Sequence, residues 1–115
     1  MNTTAPVDKS ALNPLALNQL LLTAKIASLE AIRYTPAGLP ALNCTLEHES
    51  ELDFDLAGTS QKRQVKVVLN AVAFASNAER LKVQTLGSQW NFKGFMAAGR
   101  NGKGVVFHIQ EFLQN

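Results

Sequence analysis

Arg100 and Lys103 stand in a short run with glycine at positions 99, 102 and 104. A guanidinium and an ammonium on such a loop can follow a phosphate backbone. The same run also reads as a plain hairpin turn, because Asn101-Gly102 is a strong short turn signal. Gly99-Arg100-Asn101-Gly102 has the spacing of the clamping loop of KH domains, but strands and not helices are expected on either side. The dinucleotide fingerprint fails on spacing and context. Just upstream, Trp90, Phe92, Gly94 and Met96 alternate with Asn91, Lys93, Phe95 and Ala97. The first set is more apolar and should face a core, which leaves Phe95 outside beside Lys93. An exposed ring next to positive charge is what base stacking requires; cover by a loop or a partner subunit is the other explanation. Lys62, Arg63 and Lys66 form a further small basic group, with Lys66 on the side opposite Val65 and Val67. A solvated strand entry explains that group equally well.

Other chemistry is poorly supported. Glu47, Glu49, Glu51, Asp53 and Asp55 fall at every second position. They are expected to form a solvated acidic edge that nucleic acid avoids and a basic protein can use. Asp53-Phe54-Asp55 begins like a calcium loop, but Ala57 and Gln64 occupy positions that need oxygen ligands. Cys44 and His48 are four apart and His108 is distant in sequence, which is too few ligands for structural zinc. Cys44 belongs to an apolar set, where thiols are usually inert. No nucleophile elbow or phosphate loop is present. Neither catalytic residues, nor a metal, nor a cofactor is expected.

These residues must be carried by strands. Residues 20–26 alternate, with Leu20, Leu22, Ala24 and Ile26 on one side. Residues 33–40 read as a turn, from Pro36, Gly38 and Pro40. A second strand at 41–49 turns Leu42, Cys44 and Leu46 inward. Residues 51–61, with Asp53, Asp55 and Gly58, read as a long loop. A third strand spans 63–74. Ser76 and Glu79 have capping-box spacing, so a helical turn or two should run to about Lys82. The fourth and fifth strands are 89–98 and 105–112. The expected fold is all-β: a five-stranded OB-fold barrel with one short helix between strands three and four.

A chain of 115 residues makes one domain. We expect a flexible N-terminal arm over residues 1–17, which hold two of the four prolines, and the OB-fold domain over 18–115. Hydrophobic residues at 46% and charged residues at 17% exclude disorder throughout. No stretch approaches the roughly 20 apolar residues of a membrane span, and the start lacks the features of a secretory signal. One cysteine permits no internal disulfide, which suits a reducing cytoplasm. The net charge of +2 decides little by itself. A first strand apolar on both sides, with Leu21 outside, would leave an edge for a second copy, so a homodimer is expected.

Several short stretches carry a family likeness: Asn18-Gln19-Leu20, Pro36-Ala37-Gly38-Leu39-Pro40, Leu46-Glu47-His48-Glu49-Ser50, Gly87-Ser88-Gln89 with Gly94-Phe95, Arg100-Asn101-Gly102 and Phe107-His108. Together they resemble the bacterial primosomal replication protein N family, the replication restart proteins related to single-stranded DNA-binding protein. The resemblance implies an OB-fold homodimer that binds single-stranded DNA and assists the primosomal helicase, with other primosome proteins, in reloading the replisome at stalled forks. It implies that Phe95 stacks a base and that Arg100 and Lys103 belong to a basic loop. Known members carry a tryptophan where this chain has Lys66 and a loop lysine where it has Ala98. The expected DNA contacts are Lys66, Lys93, Phe95, Arg100 and Lys103. Two other readings stay open: a protein-interaction adaptor with incidental DNA affinity, and a small RNA-binding barrel of the cold-shock type.

Overall fold

The computed structural model describes residues 13–114. Most of the expected N-terminal arm, residues 1–12, lies outside the described residues. Six strands and a helix follow: β1 Leu20–Leu29, β2 Arg33–Tyr34, β3 Pro40–Leu56, β4 Thr59–Phe74, α1 Ser76–Lys82, β5 Gln89–Ala98 and β6 Val105–Leu113. The sheet runs β1-β5-β6-β4-β3-β2, and β1 also pairs with β3, so five strands close into a ring. Closure depends on a short parallel pairing of β4 with β6, Ala71 opposite Phe107 and Val72 opposite His108. The helix lies where it was expected. It falls between β4 and β5 because the 33–40 segment contains the two-residue strand β2, which pairs with Ala41 and Pro40.

The expected parities hold. Ala24 and Ile26, Leu42, Cys44 and Leu46, Ala71 and Ala73, Phe92, and Phe107 and Ile109 are buried inside the ring. Leu20, Leu22, Trp90 and Met96 pack against them from the partly buried rim. Two bulges bend the strands enough to close. One sits at Ala27, between the pairs Ile26–Leu46 and Ser28–Thr45. The other sits at Gln110, between Lys93–Glu111 and Gly94–Ile109. This second bulge shifts the inward parity of β6, so that Phe112 points to the core after Ile109. The bulged carbonyl of Gln110 is not orphaned, since the Asn77 side chain of α1 donates to it at 2.8 Å.

Gly94 has a specific task at that bulge. A Cβ there would lie 1.8 Å from the backbone oxygen of His108. Only a hydrogen allows β5 and β6 to approach this closely. The helix closes one end of the ring with buried Ala78 and Leu81. Arg80 lies over the Phe112 ring at 4.3 Å and donates to the Phe112 carbonyl at 3.3 Å. The capping box does not form. The cap position is Ala75, with φ of 55° and no side-chain cap bond, and Ser76 is already helical.

The largest departure from expectation is the segment 51–61. It is not a loop. β3 and β4 stay in unbroken antiparallel register from Ala41–Phe74 to Leu56–Thr59. The turn has only two residues, Ala57 and Gly58, with φ of 53° and 80°. Positive φ at both positions suits a tight hairpin whose twist matches its strands. Among the described residues no third strand pairs with β3 beyond Glu47 and none pairs with β4 before Ala71, so residues 48–70 form a two-stranded ribbon. The acidic row does lie on one ribbon face, as its spacing required. The other face carries Leu52, Phe54 and Leu56, which are 55%, 40% and 60% exposed.

β1 also differs from the lone edge expected of it. β5 pairs with Leu20–Lys25 on one side, and β3 pairs with Lys25–Leu29 on the other. Among the described residues nothing pairs with the second side of Leu20–Ala24, and Leu21 is 67% exposed. His48 sits at this fork. Its Nδ1 donates to the Thr23 carbonyl at 2.6 Å and its Nε2 meets Ser50 Oγ at 2.8 Å. Asn18 extends the β1–β5 ladder by its side chain, donating to Met96 O at 2.7 Å and accepting from Met96 N at 2.9 Å.

Candidate nucleic-acid interface

Alternation fixes what stands on the outer face of the ring. Phe107 and Ile109 point in, so His108 points out; Gly94 points in, so Phe95 points out. Their strands pair Phe95 directly opposite His108. The two rings stack at 4.7 Å between centroids and 19° between planes. On the other side His108 stacks with Phe74 of β4 at 5.8 Å and 30°. Three rings therefore line up across three neighbouring strands. Phe95 is half-buried, with His108 on one of its faces, and is not the lone exposed ring that its parity alone suggested.

An open cleft of about 710 Å³ crosses this surface. Its floor includes Val72, Phe74, Val106 and His108. One wall is the 99–104 loop, with Arg100 and Lys103; the other is the start of the β1–β2 connection and β2, with Glu30 and Arg33. The loop holds its shape through a bond from Gly99 N to Gly104 O at 3.1 Å and one from Gly102 N to Gly99 O at 2.9 Å. A Cβ on Gly99 would meet the Lys103 backbone oxygen at 2.2 Å, so glycine keeps this neck narrow. Arg33 Nη2 reaches Asn43 Oδ1 at 3.4 Å, which aims it along the cleft wall. Three cations and one carboxylate thus surround an aromatic floor, an arrangement that attracts a polyanion with planar groups.

The expected residues divide. Arg100 and Lys103 are together on the cleft, and Phe95 adjoins it through His108. Lys93 is outward but lies opposite Glu111 and beside Leu21 and Leu113, in a separate shallow groove. Lys66 is outward on the ribbon, opposite Glu49. It shares the parity of Asn70, which lines the cleft, and four residues of strand separate them by about 13 Å. Arg33, Phe74 and His108 were missed. His108 was legible from the alternation of β6. Arg33 sits on the short β2–β3 hairpin, and the pairing of β4 with β6 brings the 99–104 loop across from it.

Cys44 is buried and borders the same cleft, whereas His48 is held at the fork. Burial, reinforced by Glu30, pushes the Cys44 thiol up from 9.0 to about 12. A thiol so held is protonated and unreactive at neutral pH. Among the described residues no group of three or more His, Cys, Asp or Glu is arranged to hold a metal ion. No helix among them is long and apolar enough to cross a membrane.

Residues 18–111 match the model of a family described as another single-strand binding protein family. The replication restart protein PriB of Bordetella pertussis is 36% identical over 96 residues, covering 83% of this chain and 86% of that one. The structure of PriB from Ralstonia solanacearum superimposes with a TM-score of 0.73 at 34% identity, covering 86% of this chain and 98% of that one. The single-stranded DNA binding protein from Thermus aquaticus shares the fold, with a TM-score of 0.63 at 23% identity over 85% of this chain and 50% of that one. The resemblance read from Leu46-Glu47-His48-Glu49-Ser50 and its companions is thus upheld, and the chain belongs to the PriB family of replication restart proteins, built on the OB-fold of the single-strand binding proteins.

Proposed function

We propose that this protein is a non-enzymatic, cytoplasmic accessory factor of the replication restart primosome that binds single-stranded DNA. The observation that carries the reading is the placement of Arg100 and Lys103 over a cleft floored by rings. The strand lies in that cleft, with Arg33, Arg100 and Lys103 against phosphates and a base on the free face of Phe95. Lys66 and Lys93 neutralise phosphates further along the strand. Affinity without sequence preference follows, since every base has a face to stack and every nucleotide a charge. In this role the protein stimulates the primosomal helicase as the replisome is reloaded. It works as a homodimer, the open side of Leu20–Ala24 and exposed Leu21 being the edge that supports pairing of two copies.

The test is a titration of labelled oligonucleotides of equal length: single-stranded DNA, duplex DNA and RNA. Tight binding to single-stranded DNA alone is expected. Five phosphate contacts should give a slope of log K against log salt of about −3.5, from roughly 0.7 per contact. Replacing Arg100 and Lys103 together by Ala should flatten it by about two-fifths; an unchanged slope would remove the loop from the site. RNA binding of equal strength would favour the RNA-binding barrel, for which the three-ring row is the supporting observation. The adaptor reading is favoured by the ribbon, with its exposed Leu52, Phe54 and Leu56. It predicts full helicase stimulation by the Arg100 and Lys103 double variant.

A further inference from the structure

The two histidines are held in opposite ways. Both ring nitrogens of His48 are engaged, by the Thr23 carbonyl and the Ser50 hydroxyl. Neither ring nitrogen of His108 has a hydrogen-bond partner among the described residues, and the ring borders the cleft. Its faces are packed between Phe74 and Phe95, and aromatic faces stabilise a cation laid over them. Its edge is left with two nitrogens that both donate once the ring is charged. The charged or titratable groups around it are Glu30, Arg33, Cys44, Arg100 and Lys103 on the cleft, with Lys93 two residues from Phe95 on β5. Cys44 stays neutral. A phosphate entering among these groups brings negative charge to the edge of the ring.

We propose that His108 is a contact of the bound strand that takes up a proton on binding, its imidazolium donating to a phosphate beside the Arg100–Lys103 loop. This rests on the single-strand reading above. The sign follows from linkage. Phosphate favours the charged ring, so the bound state holds its proton to higher pH than the free state. Affinity therefore rises as pH falls through the histidine range, by up to tenfold per pH unit for one proton taken up.

The experiment is fluorescence anisotropy of a labelled oligothymidylate at constant ionic strength between pH 8 and pH 6, with calorimetry in two buffers of different ionisation enthalpy to count protons. The wild-type protein should bind about three- to tenfold more tightly at pH 6 than at pH 8. His108→Phe keeps a ring between its neighbours and should show no gain in affinity from pH 8 to pH 6 and no proton uptake. His108→Gln serves if the Phe variant does not fold, and should be equally flat. His48→Gln should keep the slope. A pH slope that survives in the His108 variants, or a flat wild-type profile, overturns the proposal. If the profile is flat yet binding is salt-sensitive and weakened in the Arg100 and Lys103 double variant, only the role of His108 falls. If that double variant binds like wild type at every salt concentration, the placement of DNA in the cleft falls with it.

Discussion

Between Ala41 and Glu47, β3 has a paired strand on each side for much of its length and a covered inner face. Between His48 and Leu56 it has, among the described residues, one neighbour and no cover. The alternation is as regular in the second stretch as in the first: Leu52, Phe54 and Leu56 continue the side of Leu42, Cys44 and Leu46. What changes is the company of other strands. In the ring, Leu42 and Leu46 are fully buried, whereas on the ribbon Leu52 and Leu56 are more than half exposed. A pattern of period two establishes that a strand forms and which way its side chains point, but not whether anything lies above them.

Equal changes made in the two regions test this difference. The largest effect belongs to Gly94→Ala, whose methyl would collide with a backbone oxygen. Parting β5 from β6 there should cost more than about 4 kcal/mol, read as a fall in the urea midpoint. Gln64→Ala on the ribbon should stay within about 0.5 kcal/mol. Phe107→Ala should cost about 3–5 kcal/mol through the cavity it leaves, while Phe54→Ala should cost less than about 1 kcal/mol. A large loss for Phe54→Ala would mean that the ribbon's apolar face is covered in solution, and sedimentation would then show the assembly.

Phe95→Ala falls between these extremes. It should weaken single-strand binding by about 1–3 kcal/mol and lower stability by about 1 kcal/mol, the loss of the His108 stack. Trp90, edge-on to Phe112 with Nε1 donating to Ser88 at 2.9 Å, lies away from the cleft, and its emission should persist when DNA binds. Cys44 gives a pH test of how closed the ring is. Its folded value near 12 lies above its ordinary 9.0, so its contribution to stability is complete below 9.0 and is lost as pH rises towards 12. Cys44→Ala should remove that part of the alkaline decline, and the native thiol should react slowly with a disulfide reagent at pH 8. The smallest effect is expected at the ribbon tip: Ala57→Gly should relieve about 1 kcal/mol of left-handed strain, read in the thermal midpoint.

The ring was legible because burial and alternation agree there; Leu20, Leu22, Ala24 and Ile26 announce one covered face. The ribbon was not, because Asp53, Asp55 and Gly58 are residues that loops favour, and the turn used Ala57-Gly58 in place of a stronger signal. The site was legible in part. Phe95, Arg100 and Lys103 are near in sequence to a recognisable turn. Arg33 and Phe74 face the 99–104 loop only because β4 pairs with β6, a contact between distant segments that no local pattern encodes. The bulge at Gln110 broke the period in β6, so strict alternation would have turned Glu111 inward in place of Phe112.

The ribbon's open edges bear on how the protein behaves when concentrated. Its β3 edge carries Glu49, Glu51, Asp53 and Asp55; its β4 edge carries Lys62, Arg63 and Lys66. Two like edges brought together repel. An acidic edge meeting a basic one attracts, and that contact is head-to-tail, so it does not close on itself and each added molecule exposes another edge. Turbidity in a concentrated stock should therefore appear first at low ionic strength and clear as salt screens the attraction.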